Sequence, residues 1–325
     1  MNTNRIDIAN MILMVFACVA AFVLPFEVFL FSYAVLGPLH YLTEISWLHQ
    51  RNYFALGKWD YVPFILIGIL LFLFSFVFKE YATFTTTLIF ISFFYALGTV
   101  LLKDVFYKVA LVAVALFLGA LLQRNMPFVY LFGVFLPTLI HVFLFTGLFI
   151  LYGALKNKSR TGYGSLVIFV LCAISFFVVQ PQFSFYQVSS YAEKALMESG
   201  FVQLNKSLIE LFKLGQYTRE TVFESAAGLG IMRFIAFAYT YHYLNWFSKT
   251  QVIQWHRVPK KQLATVLFIW LFSVALYAYN YYYGLVALYF LSMLHVLLEF
   301  PLNYQSFIGI GKELRAIGGG AGIGK

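Results

Sequence analysis

Long stretches without charge constrain this chain more than any other feature. Met11–Leu24, Val62–Phe78, Thr85–Leu102, Val109–Leu122, Phe128–Leu155, Leu166–Val179, Leu263–Tyr283 and Leu285–Leu298 are almost uncharged. A helix needs about 20 apolar residues to cross a hydrocarbon core of roughly 30 Å, and several of these runs reach that length. They lack the strict period-two alternation of an outer-membrane barrel, so they read as helices. The chain is 62% hydrophobic and 11% charged, against about half and a quarter for soluble domains. A soluble fold is excluded, and the expected class is an all-α polytopic transmembrane helical bundle.

Ten spans fit the sequence, at 11–24, 26–49, 62–78, 83–102, 109–123, 127–153, 164–180, 222–247, 263–283 and 285–303. Arg5 followed by Met11–Leu24 has the charge and length of a secretory signal, but no Ala-x-Ala site follows, so it is taken as the first span. Lys and Arg test the topology, because they accumulate in short cytoplasmic loops. With both termini on one side, that side collects clusters such as Lys156, Lys158 and Arg160, and Lys249, Arg257, Lys260 and Lys261. It holds 15 of the 22 basic residues, against two in the short loops of the other face. Both termini are therefore expected in the cytoplasm and the chain in the cytoplasmic (inner) membrane, with anionic membrane lipid as the natural partner of a net charge of +9. No concentrated basic face with readout groups is present, so no nucleic acid partner is expected.

No repeat or linker divides residues 1–325, which read as a single integral membrane domain. Within it, residues 182–220 alternate apolar and charged groups at helical spacing. They predict an extracytoplasmic amphipathic helix or broken pair: a lid, a docking surface for a protein partner, or a simple connection. Residues 312–325 read as a flexible cytoplasmic tail. Its Gly319–Gly324–Lys325 spacing matches part of a phosphate-binding loop but lacks the flanking strand, the following helix and the Ser or Thr. Cys18 and Cys172 stand alone in apolar runs and read as packing residues.

Ionisable groups inside a span are costly and mark candidate sites. His40 and Glu44 form one i, i+4 pair and His295 and Glu299 another, which places each pair on one helical face. His141 follows Pro137 in the sixth span, and His242 lies in the eighth. The charge-derived topology puts these four histidines, on four separate helices, at compatible depths. Neutral imidazoles bind iron, copper or zinc, and a ligating histidine usually gives its second N–H to a carboxylate. His40, His141, His242 and His295 are thus candidate metal ligands, with Glu44 and Glu299 as orienting groups, further ligands or cavity lining. Each histidine alone also has an ordinary reading as a hydrogen-bonded core residue. Haem held by pairs of these histidines is an alternative cofactor. A non-catalytic membrane subunit or transporter is another reading, in which Glu27, Glu224 and Arg233 form an intramembrane polar network. His49 and His256 fall at the cytoplasmic boundary, where a solvated role is expected.

The motifs around these histidines resemble those of the Brp/Blh family of membrane β-carotene dioxygenases. Gly37-Pro38-Leu39-His40-x-x-x-Glu44 is similar to that family's first motif, a Gly/Pro-rich turn leading to His-x-x-x-Asp. Ile140-His141 is similar to the second, Tyr241-His242 stands in place of the third, and His295-x-x-x-Glu299-Phe300 resembles the last. The order holds along most of the chain. Glu stands where the family has Asp, no acid closely follows His141, and Trp246 stands where the third motif carries a second His. The resemblance implies a polyhistidine non-haem Fe(II) centre that cleaves a carotenoid with O₂ to give retinal. Aromatic residues, 39 Phe and 23 Tyr among them, are numerous enough to line a slot for a long, flat, lipophilic small-molecule substrate. Tyr277, Tyr279, Tyr281, Tyr282 and Tyr283 read as an interfacial aromatic belt.

Overall fold

A computed structural model describes residues 3–179, 186–249, 254 and 258–320. All regular structure among them is helical, with no strand. In chain order the helices are α1 (Thr3–Val23), α2 (Pro25–His49), α3 (Val62–Val77), α4 (Phe84–Leu101), α5 (Val105–Leu122), α6 (Met126–Asn157), α7 (Arg160–Val178), α8 (Ser190–Ser199), α9 (Val202–Leu211), α10 (Arg219–Phe223), α11 (Ala226–Ser248), α12 (Lys260–Tyr279) and α13 (Tyr281–Gly320). Eight described helices are long and apolar enough to cross a membrane: α1, α2, α4, α5, α6, α7, α12 and α13. The other two predicted spans correspond to α3, which is apolar but short, and α11. That helix has 23 residues, but Arg233, His242, Asn245 and its tyrosines dilute its apolarity. Its polar groups are tolerable because the helix is buried on all sides rather than facing lipid.

The chain packs as two compact units, Met1–Thr43 with Val167–Tyr289 and Glu44–Leu166 with Phe290–Lys325. The division falls inside α2, α7 and α13, so no linker marks it.

In the first unit α11 packs against α1, α2, α9 and α10. Phe26, Phe29, Phe176, Phe237 and Tyr241 fill its core. In α2 the winding widens to π-helical over Ser32–Leu36, just ahead of Pro38. A proline lacks an N–H and crowds the carbonyl four residues back, and a π turn relieves both problems. Trp270 Nε1 donates to the Val35 carbonyl in this turn at 2.8 Å. The described part of 182–220 is a broken amphipathic pair. Ser189 caps α8, and Gly200 (φ +76°) turns the chain in the left-handed region that glycine adopts without strain. Apolar residues of α9 face inward, and the Phe201 ring meets Tyr33 at 4.5 Å and Phe29 at 5.1 Å. Arg219 bridges Glu193 and Glu224 outside the core, with Nη atoms at 2.6 Å from each. That contact holds the Glu193 carboxyl below its usual range, so the link persists at neutral pH and loosens only as acid protonates Glu193.

In the second unit α4 packs on α5, α3 and α6. The Thr87 hydroxyl donates to the Gly119 carbonyl at 3.3 Å, and a Cβ at Gly119 would lie 2.7 Å from Thr87. Close approach of this kind is a common helix contact in membranes. Lys108 Nζ lies 2.7 Å from both oxygens of Asp60, which also accepts from the Gly57 amide, and both side chains are largely buried. α13 continues without interruption to Gly320, because Lys312-Glu313-Leu314-Arg315-Ala316-Ile317 are good helix formers and glycines accumulate only afterwards. Residues 321–325 lie outside the described residues.

Breaking the buried ion pair on one side strands a charge. Lys108→Ala is expected to lower stability by about 3–5 kcal/mol, read by thermal unfolding in detergent. Asp60→Asn combined with Lys108→Met recovers most of that loss.

Candidate metal centre

The helical spacing in the sequence carries directly into side-chain placement. α2 sets Glu44 one turn beyond His40, and α13 sets Glu299 one turn beyond His295 and Asn303 one turn further. His141 lies in α6, whose Val129–Phe145 segment is π-helical around Pro137, and His242 lies in the thoroughly buried α11. All four histidines and both carboxylates are buried, with exposures between 1% and 7%.

They come in pairs. His40 Nε2 and His242 Nε2 are 3.1 Å apart, with ring planes inclined by 70°. His141 Nε2 and His295 Nε2 are 3.2 Å apart, inclined by 72°. One ligand atom from each of the four residues lies within 4.8 Å of the other three. A metal with bonds of roughly 2.0–2.1 Å to nitrogen separates adjacent ligands by about 2.9 Å at right angles and about 3.4 Å at the tetrahedral angle. The two pair distances fall between these limits, so each pair is spaced like adjacent ligands of one metal ion, and the group of four could bind a metal. His141 Nδ1 sits 3.3 Å from Glu299 Oε2; the contact is close but off-axis for a strong hydrogen bond. It favours the Nδ1–H tautomer, which leaves the Nε2 lone pair for a metal. Glu299 is also in contact with Glu44 and Asn303.

The His40 side is supported by residues that motif reasoning passed over. Trp246 Nε1 donates to Thr43 Oγ1 at 3.0 Å, while the single Thr43 hydroxyl proton is shared between the carbonyls of Leu39 and His40. The indole ring stands edge-on to His40 at 5.3 Å, and the Tyr243 ring lies 5.1 Å from it. Thr43 follows His40 by three residues and Trp246 follows His242 by four. Helical spacing was thus the available signal, and Asn303 extends the His295–Glu299 series by the same rule.

Glu27, Glu224 and Arg233 are not part of the histidine group. Glu27, in the first turn of α2, accepts from the Tyr186 hydroxyl at 2.8 Å and from the Ser189 hydroxyl and amide at 2.9 and 3.2 Å. Arg233 is buried in α11 with its guanidinium 5.4 Å from the Phe22 ring centre. Placing Glu224 inside a span is corrected: it is exposed, precedes the start of α11 at Ala226 and binds Arg219. Ser225 caps the helix there, which moves the span start beyond the carboxylate. His49 is exposed at the end of α2, its Nδ1 3.1 Å from the Tyr53 hydroxyl. His256 lies outside the described residues. Cys18 and Cys172 are buried and free.

Comparison with protein-family models, with curated proteins and with solved structures gives no match. The geometry carries the chemical reading by itself. It shows a buried four-histidine group, in a chain with multiple membrane-spanning helices, that can bind a metal ion.

If Glu299 orients His141, Glu299→Ala should weaken metal binding about 10–100-fold without unfolding the protein. Chelator competition followed by metal analysis measures the affinity, and a thermal unfolding scan checks the fold.

Proposed function

We propose that the protein is a metal-dependent membrane oxygenase that holds Fe(II) on His40, His141, His242 and His295 and acts on a lipophilic, carotenoid-like substrate. The observation that carries this reading is the set of four buried imidazoles with their ligand atoms within 4.8 Å. The resemblance of the histidine motifs to the Brp/Blh dioxygenases supplies the metal, the co-substrate and the substrate class.

Bound there, Fe(II) would supply the binding and activation of dioxygen, chemistry that protein side chains do not provide. The residues of the chain do the rest. Four neutral imidazoles bring no charge of their own, and the Glu299 carboxylate, 3.3 Å from His141, would offset part of the positive charge of an ion in apolar surroundings. Glu299 sets the tautomer of His141. The Trp246–Thr43 bond and the Tyr243 ring hold His40 in place, so Trp246 acts as a support where the Brp/Blh motif has a histidine. Burial excludes water from the group. Apolar helices place the chain among membrane lipids, from which a lipophilic substrate arrives laterally.

Haem held by pairs of these histidines is the alternative cofactor, which a Soret band would reveal. A subunit or transporter role would leave the histidine group without a use. In that role His295→Ala would be harmless while Arg233→Leu disrupts assembly or transport.

The test is turnover in proteoliposomes loaded with Fe(II) and β-carotene. Loss of the polyene absorption band with formation of an aldehyde is expected in air, is absent without oxygen, and is abolished in His295→Ala. An iron-loaded protein that leaves every polyene tested intact, or a purified protein with a Soret band, overturns the proposal.

A further inference from the structure

The first unit contains a half-open cavity of about 250 Å³ that the histidine chemistry does not use. Leu30, Phe31 and Ala34 of α2 form one wall, and Val274, Tyr277 and Ala278 of α12 form another. Tyr281 closes the buried end, while Phe31 and Tyr191 stand exposed at the rim. The hollow exists because small residues, Ala34 and Ala278, face it between large aromatic ones. A dry apolar cavity of about 150 Å³ holds a benzene ring. This one therefore has room for a substituted six-membered ring or the corresponding length of aliphatic chain.

Its one carboxylate is that of Glu27, beside the phenol groups of Tyr191, Tyr277 and Tyr281. Three donors already reach that carboxylate, from Tyr186 and from the hydroxyl and amide of Ser189. They offset its charge. Both Ser189 bonds go to Oε1, so Oε2 takes only the Tyr186 hydroxyl among these three donors, and a carboxylate oxygen has two lone pairs to offer. A ligand matched to this cavity is apolar along its body and carries a single neutral donor at one end. A cation is unnecessary, because the three existing donors already stabilise the anion, and a second carboxylate would be repelled.

We infer that this cavity is a binding site for a membrane-soluble amphiphile with an apolar ring or chain and one terminal hydroxyl, which donates to Glu27 while the apolar part lies between Ala34 and Ala278. The inference stands on the first unit alone and does not depend on the metal reading. Ligands of this kind reach a membrane-facing cleft from the bilayer, and tyrosine rings at its rim suit the boundary between apolar and polar surroundings.

Photolabelling tests it with the full chain in nanodiscs of phosphatidylcholine, a lipid without a hydroxyl donor. The probe is a long-chain alcohol carrying a diazirine midway along its chain. Saturable labelling is expected at Phe31, Tyr191 or Val274, as read by mass spectrometry. The unlabelled alcohol should compete about tenfold better than its acetate ester, a difference of roughly 1.4 kcal/mol. Glu27→Gln should reduce that preference. Ala278→Trp should abolish labelling by filling the cavity, with Ala34→Met as a milder filling variant if the first fails to fold. Labelling that does not saturate, or that survives both filling variants in folded protein, overturns the inference. Equal competition by alcohol and ester also overturns it, because the cavity would then hold only hydrocarbon chains of ordinary lipid.

Discussion

Four imidazoles and two carboxylates have been taken out of water, and the rest of the structure answers to the cost of doing so. A carboxylate at the centre of a membrane helix costs about 2.5–3.5 kcal/mol even on lenient insertion scales. Here Glu44 and Glu299 are each 2% exposed. Such burial is tolerated when polar groups satisfy one another or bind an ion. The nitrogen pairs offset part of that cost, and the His141–Glu299 contact sets a carboxylate 3.3 Å from an imidazole nitrogen. Of the three π-helical segments among the described residues, Ser32–Leu36 and the one around Pro137 lie in the helices that carry His40 and His141, while the third, Leu73–Val77, lies in α3. π turns often accompany functional sites.

The same economy explains α11. It carries Arg233, His242 and Asn245, and lipid would be a poor solvent for such a helix. Placed among α1, α2, α9 and α10, it exposes little of itself. Tyrosines then form a continuous row of ring contacts within the first unit. Tyr281 meets Tyr277 at 5.0 Å, Tyr277 meets Tyr33 at 6.4 Å, Tyr33 meets Tyr239 at 6.1 Å, Tyr239 meets Tyr243 at 6.3 Å and Tyr243 meets His40 at 5.1 Å. The wall of the Glu27 cavity and the support of His40 are therefore one packed stack. Aromatic pairs of this kind contribute roughly 0.5–1.5 kcal/mol each beyond their burial. Tyr277 and Tyr281, read from sequence as part of an interfacial belt, belong instead to this buried row.

Much of this was legible in the chain. Hydropathy located the membrane helices, because backbone polar groups in lipid must be satisfied within each span. The i, i+4 rule located both His–Glu pairs. What it did not supply is informative. Thr43 and Trp246 support His40 through side-chain bonds, and a threonine or tryptophan within an apolar run gives no contrast to notice. Glu224 seemed to be inside a span because hydropathy does not register that Ser225 caps a helix. The division into two units has no signature at all, since it runs through continuous helices.

The central claim is that the four histidines share one ion. X-ray absorption at the metal edge of the purified, metal-loaded protein tests it most directly, because multiple scattering from imidazole rings counts the histidines on each metal. One metal per chain with about four imidazole nitrogens, falling to about three in His40→Ala and in His295→Ala, is the result this account predicts. A metal with two or fewer imidazoles, or a shell unchanged by either substitution, would contradict it.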